Sequence, residues 1–353
     1  MGGTESTAIR PAVPSAAVAR VSRISALDFT KGALVLIMVY YHWLNYFIGL
    51  SWGHYIYLRF LTPSFILVTG FLISNVYLSG RRPVDGRLAR RLLTRGFKLL
   101  VLFVLLNAGK ILVGSHLPSD GGSAGLSRFG GIEEAFGLGN IYIRQEKLVA
   151  FYILVPIGYL LILSAALVLP YRRFKYIFHA AFAGCFLGLV ALRLAGSWSD
   201  NLAMVFIGML GAMVGFVPIE RVNRWVSHPY LLALAYAAYV AAITRWNVPF
   251  RLLAAGACLS VACVYLAGLR WKSTGAVRRH IDVLGQYSLL GYVGQIAILQ
   301  VLSAVFHRFD PGPATLPVSF VAAFALTMAL VEIVEYLRPK SRLFDSAYRF
   351  VFA

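Results

Sequence analysis

Residues 23–50 read RISALDFTKGALVLIMVYYHWLNYFIGL, a run long enough to cross a bilayer as a single helix. At 100° per residue, Asp28, Lys31, Val35, Met38, His42 and Asn45 fall on one stripe about 100° wide. The stripe carries a carboxylate, an ammonium, an imidazole and an amide into an apolar segment. On insertion scales each ionisable group at the centre of a span costs roughly 2.5–3.5 kcal/mol, so such groups mark a functional site by default.

The rest of the chain supports a membrane reading. Of its 353 residues 59% are hydrophobic and 13% charged, and the mean hydropathy is +0.74. That composition excludes an ordinary soluble domain. Apolar segments of spanning length lie near 25–49, 56–79, 91–113, 148–169, 174–194, 201–218, 282–306 and 315–337; shorter ones lie at 229–243 and 252–269. The expected fold is all-α, a polytopic transmembrane helix bundle of about ten spans.

The cations assign an orientation. With the N-terminus inside, the inner face receives Arg10, Arg20 and Arg23, the stretch RRPVDGRLARRLLTRGFK, then YRRFK, ERVNR, RWKSTGAVRR and RPKSRLFDSAYR. Together these hold 23 of the 33 lysines and arginines, whereas the outer GLSWGHY has none. This bias predicts both termini inside and an even number of spans. The formal charge of +19 is therefore mainly a topology signal, with a secondary capacity to attract anionic lipid or phosphate. It does not point to nucleic acid.

Cys185, Cys258 and Cys263 all sit in apolar segments without metal-ligand or disulfide spacing, and read as small buried hydrophobes. Residues 1–22, rich in Ala, Pro, Ser and Thr, read as a disordered cytoplasmic tail, and the first apolar run reads as an uncleaved anchor. The membrane domain then covers 23–338. A Gly-rich outer loop at about 114–146 carries His116, Glu133, Glu134 and Glu146, and 339–353 reads as an amphipathic cytoplasmic tail.

Three stretches resemble the polytopic membrane acyltransferase superfamily, which includes acyltransferase family 3, the OpgC-type proteins and the heparan-glucosaminide acetyltransferase type. The first is Leu27, Asp28, Lys31, Gly32 and His42, similar to that group's Leu-Asp, basic-Gly and a His eleven positions after the basic residue. The second is TPSFILVTGFLIS, with Pro63, Phe65, Thr69, Gly70 and Phe71; the third is LGQYSLLGYVGQ. Lys31 stands where Arg is commoner, Thr69 where Ser is, and Gln295 where a late His often is. The first change keeps the charge but loses the bidentate fork.

The resemblance implies transfer of an acyl group from a cytoplasmic donor, acyl-CoA, to a hydroxyl, ahead of an amine, on an extracytoplasmic glycan or glycolipid. It implies no permanently bound cofactor and no metal, and an integral protein of a bacterial cytoplasmic (inner) membrane. A hydroxyl needs a base to take its proton, and an imidazole titrates in the right range. His42 is the expected base, with Asp28 as its catalytic companion. Lys31, about 16 Å nearer the cytoplasm at 1.5 Å rise per residue, is expected to contact a donor phosphate or to pair with Asp28. Asn45, Glu133, Glu134 and Gln295 are the other expected substrate contacts.

Blander readings stand beside these. His42 as a packing residue would be hydrogen-bonded across helices. Glu133 and Glu134 would be solvated loop acids, and Lys110 would snorkel outwards. Glu332 and Glu335 would pair with the basic loops, and Tyr152 would be an interface aromatic. Gln286, Tyr287, Ser288, Tyr292, Gln295 and Gln300 make one late span polar enough either to line a cavity or to glue helices. A transporter or flippase would use the same Asp/Lys/His stripe. Against it, no paired Gly/Pro-broken helices recur in corresponding halves.

Overall fold

A computed structural model describes residues 24–49, 55–78, 85–116, 151–246, 249–271, 275–309 and 312–352, with the side chains of 110–116 and of His307 excepted. The expected tail 1–22, most of the 114–146 loop, and with it Glu133 and Glu134, lie outside the described residues; residues 114–116 continue a helix.

Thirteen α-helices and short 3₁₀ and π turns make up the described fold, without strands among the described residues. They are α1 (Ser25–Phe47), α2 (Leu61–Leu72, preceded by a 3₁₀ turn and running into π-helical Ile73–Leu78), α3 (Gly86–His116), α4 (Leu154–Tyr171), α5 (Ile177–Leu194), α6 (Asp200–Gly215), α7 (Ile219–Val226), α8 (Pro229–Trp246), α9 (Phe250–Arg270), α10 (Ala276–Gln286), α11 (Ser288–Phe309), α12 (Thr315–Leu337) and α13 (Arg342–Phe352). Seven segments are long and apolar enough to cross a membrane, or eight if the pair α6–α7, bent by 106°, is one span. The all-helical, integral-membrane expectation is met at that level. α1 has 23 residues but falls outside this set, because its Asp, Lys, His and Asn dilute its apolarity.

Local sequence explains the helix ends. Asp85 caps α3 by accepting the Leu88 amide at 3.0 Å, and the Ser199 hydroxyl accepts the Leu202 amide at the start of α6. Pro249 precedes α9 and Gly275 precedes α10, both extended. The π turn after α2 is held from outside: the Ser74 hydroxyl donates to the Ala212 carbonyl at 2.6 Å and the Asn75 amide to the Gly215 carbonyl at 3.2 Å. Extra turns of this type persist where side chains compensate the backbone.

Glycine sets the closest helix pairs. A Cβ on Gly32 or Gly285 would collide with the facing backbone of α10 or α1, at Ile281 and Asp28 respectively. Gly70 meets Gly208, Gly211 meets Leu67, and Gly96 meets Gly158, drawing together α2 with α6 and α3 with α4. Small residues at such crossings let backbones approach where lipid supplies no hydrophobic drive. α1 is the hub, packed against α2, α9, α10, α11 and α12. The main core runs from Leu34 and Met38 through Ile66, Leu92, Leu154, Phe178 and Ile207.

Contacts sort the helix ends into two layers. Ala26, Leu27, Phe71, Val222 and Tyr265 cluster at one layer, joining the start of α1 to the end of α2, to α7 and to the end of α9. Tyr171, Phe178 and Phe216 stack at the same layer. At the other layer Trp43 donates to the Ser319 hydroxyl at 3.0 Å, Phe47 meets Phe306, and Tyr57 bonds Thr244. The first layer is the basic end, because the arginines of α3, α7, α10 and α13 lie there.

Candidate functional site

At the basic end of α1 the Asp28 carboxylate and the Lys31 ammonium are 2.8 Å apart, both side chains mostly buried. The i,i+3 spacing closes this pair within one helical turn. Beside them a second charge is fully satisfied. Arg278, 8% exposed, chelates both Asp282 oxygens at 3.0 and 2.9 Å, and donates to the carbonyls of Gly268 at 2.8 Å and Trp271 at 3.0 Å. It also donates to the Ser25 hydroxyl at 2.9 Å and lies 4.6 Å from the Phe29 ring centroid. One guanidinium thus ties α1, α9 and α10 together below the stripe. Sequence reasoning missed it, since Arg278 looked like one more loop cation and its partner Ser25 is 253 residues away.

A shallow cavity of about 290 Å³, largely open to solvent, lies on one face of α3, lined by Arg87, Arg90, Arg91, Thr94 and Arg95. Arg95 also donates to the Tyr77 hydroxyl at 2.8 Å. Lys31 and Asp28 are not in its lining, so the cation of the stripe and the arginines of α3 are separate features.

The stripe is not continuous. Between Lys31 and His42, Val35 is 0% and Met38 3% exposed, so apolar packing closes the middle of α1. The two chemistries, an ion pair at one end and an imidazole at the other, sit about 16 Å apart along the axis.

His42 is half-buried beside Tyr41, with ring centroids 4.9 Å apart. Among the described residues it makes no hydrogen bond or ion pair, unlike the packing histidine expected from the blander reading. Tyr41 in turn belongs to an aromatic and polar group. The Tyr41 hydroxyl interacts with Tyr55 and Asn45; Arg59 lies over the Tyr55 ring at 5.6 Å; Tyr292 packs edge-on against Phe151. Asn45 is exposed at the mouth of this region.

Gln295 is 0% exposed, and among the described residues neither its Oε1 nor its Nε2 has a hydrogen-bond partner. Gly291 and Leu299 share its face of α11, one turn to either side. Gly291 abuts Val35 and Val331, and Leu299 clusters with Val39 and Ala323, so the orphan amide faces the seam of α1, α11 and α12. An unpaired buried amide is costly and calls for a partner.

The other polar residues are structural. Asn107 donates to the Phe103 carbonyl and Thr69 to that of Phe65, each four residues back. Tyr152 donates to the buried Asn201 at 2.8 Å, more than an interface aromatic would do. Glu332 pairs with His280 of α10. The polar late span divides: Tyr287 joins Arg338, Tyr292 packs on Phe151 and interacts with Tyr41, and Gln295 is orphaned among the described residues. The side chain of Lys110 lies outside the described residues. Among the described residues no three His, Cys, Asp or Glu are grouped to hold a metal ion. Comparison with protein-family models, with characterised proteins and with solved structures returns no match to this chain.

Proposed function

We propose that this chain is a membrane-embedded acyltransferase. It takes an acyl group from acyl-CoA on the cytoplasmic side and passes it to a hydroxyl of an extracytoplasmic glycan or glycolipid. In this reading the chain makes ten spans, with α7 and α13 on the inner surface, both termini inside, in a bacterial cytoplasmic membrane. His42 is the general base, and the arginine-lined cavity on α3 receives the donor phosphates, which guanidinium groups hold by charge-assisted hydrogen bonds. Asp28 and Lys31 fix the inner turn of α1 as an ion pair. Asn45 and Gln295 are acceptor- or acyl-side contacts.

The observation that carries the proposal is the half-buried imidazole of His42, free of hydrogen bonds among the described residues, at the opposite end of the bundle from the arginine cluster. A base must keep a nitrogen lone pair available for the incoming hydroxyl. The three stretches that resemble the superfamily are also neighbours in space: Gly32 of the first crosses Gly285 of the third, and the second lies on α2 against α1.

The test uses purified protein in nanodiscs with acyl-CoA. Loss of a general base costs about 10²–10⁴-fold in rate. His42→Ala and His42→Gln should both lose acyl transfer or acyl-CoA hydrolysis while keeping donor binding and thermal stability. A histidine that only packs predicts that Ala lowers stability and Gln restores it. Near-normal turnover in a folded His42→Gln variant would sink the catalytic assignment and favour a transporter.

A further inference from the structure

α7 leaves the end of α6 at 106° and lies across the basic end of the bundle instead of continuing through it. Its inner face is pinned: Val222 packs with Ala26, Leu27, Phe71 and Tyr265, and the Asn223 side chain accepts from the Tyr265 hydroxyl at 2.9 Å. Its outer face is a different chemistry. Arg221, Arg224, Trp225 and His228, all from this one stretch of chain, line a shallow cavity of about 490 Å³ that is largely open to solvent, and Trp225 is 58% exposed. Arg270, at the end of α9, reaches the carbonyl of Ser227 beside it. The single carboxylate on this short helix, Glu220, forms no ion pair with Arg224 four residues on, and neither Arg221 nor Arg224 pairs with an acid among the described residues.

We infer that this cavity is a binding site for a phosphate group at the membrane surface, distinct from the arginine cavity on α3, and that anionic phospholipid is its source. Two guanidinium groups with no acid to neutralise them match the oxygens of a phosphodiester, and Arg binds such groups through paired N–H donors. The exposed indole belongs at headgroup depth, where one side of the ring meets acyl chains and the other meets water. Inorganic phosphate would use the same guanidinium groups but would gain nothing from the indole.

The experiment measures lipid retention and thermal shift on the full chain in detergent. Phosphatidylglycerol should bind and raise the unfolding temperature, while phosphatidylcholine and inorganic phosphate should not. In the Arg221→Gln/Arg224→Gln double variant the phosphatidylglycerol affinity should fall about tenfold or more, as expected for lost charge-assisted hydrogen bonds. Both side chains are exposed, so folding should survive; the single Arg224→Gln variant serves if it does not. Trp225→Ala should weaken lipid binding alone. If inorganic phosphate stabilises the protein as well as lipid does and Trp225→Ala has no effect, the source is soluble phosphate and the lipid assignment is overturned. If the double variant retains phosphatidylglycerol as the parent does, the site itself is overturned.

Discussion

At the scale of single residues, Gln295 puts stability and function in opposition. Its amide is wholly buried and unpaired, and a buried polar group left unsatisfied costs about 1–3 kcal/mol. Gln295→Leu keeps most of the volume and removes the orphan groups. We predict a higher unfolding temperature for this variant and, if the proposed substrate role of the amide holds, reduced acyl transfer as well. A lowered unfolding temperature would mean that the amide is already partnered in the resting protein, and unchanged transfer would remove Gln295 from the site. The sequence made Asp28–Lys31 legible, since an i,i+3 pair is a local property of one helix. It could not reveal the isolation of His42, the orphaned amide of Gln295 or the Arg278 clamp. Each of these is decided by which distant helix lies opposite, as with Ser25 and Arg278.

At the scale of elements, the tail helix α13 shows how an amphipathic segment is fastened. Arg338, just past α12, reaches Asp345 at 2.8 Å and lies 4.3 Å from the Tyr348 ring centroid; Arg349 also bonds Asp345. Lys98 of α3 donates to the Arg349 carbonyl. The opposite face leaves Leu343 and Phe350 exposed for the bilayer surface. Amphipathicity was readable from RLFDSAYRFVF, but the clasp was not, because Arg338 in the sequence is only one more inner cation. Hydrogen bonds from Arg338, and then from Arg349, hold the Asp345 carboxyl below the usual carboxylate range. A depressed folded value means that the contribution is present above the unfolded pKa, near 4, and is lost as pH falls through the folded value. Protection of the amides over 342–352, taken relative to their intrinsic exchange rates at each pH, should therefore fall in acid, and Asp345→Asn should show the lowered protection already at neutral pH. Exchange in the Asn variant equal to the parent's at neutral pH would show that the apolar contacts alone dock the helix. The glycine crossings make the same point for the bundle: Gly32 and Gly285 stand in recognisable stretches, but only the crossing of α1 with α10 explains why neither tolerates a Cβ.

At the scale of the whole molecule the question is how many times the chain crosses. Length and apolarity alone admit seven or eight spans. Packing argues for more. The start of α1 and the ends of α2 and α9 meet α7 at the basic layer, while the end of α1 and the starts of α2 and α12 meet at the other. In the proposed reading this alternation extends through α3–α6, α8 and α11, and the count becomes ten when α1 and α8 are also taken as crossings. Both helices are diluted by polar or small residues, which lowers their apolarity below that of the other long helices. Ten crossings with the N-terminus inside put every basic cluster on the cytoplasmic side, as the positive-inside rule requires. The prediction is tested by single cysteines in a variant whose three native cysteines are replaced. A cysteine at Ser119 should react with a membrane-impermeant maleimide in intact cells. Cysteines at Ser227 and Ser346 should react only after the membrane is opened. Labelling of Ser119 only from the cytoplasm would invert the model. Labelling of Ser227 and Ser346 from opposite sides would break the even count between α7 and α13, and with it the placement of His42 on the acceptor side of the membrane.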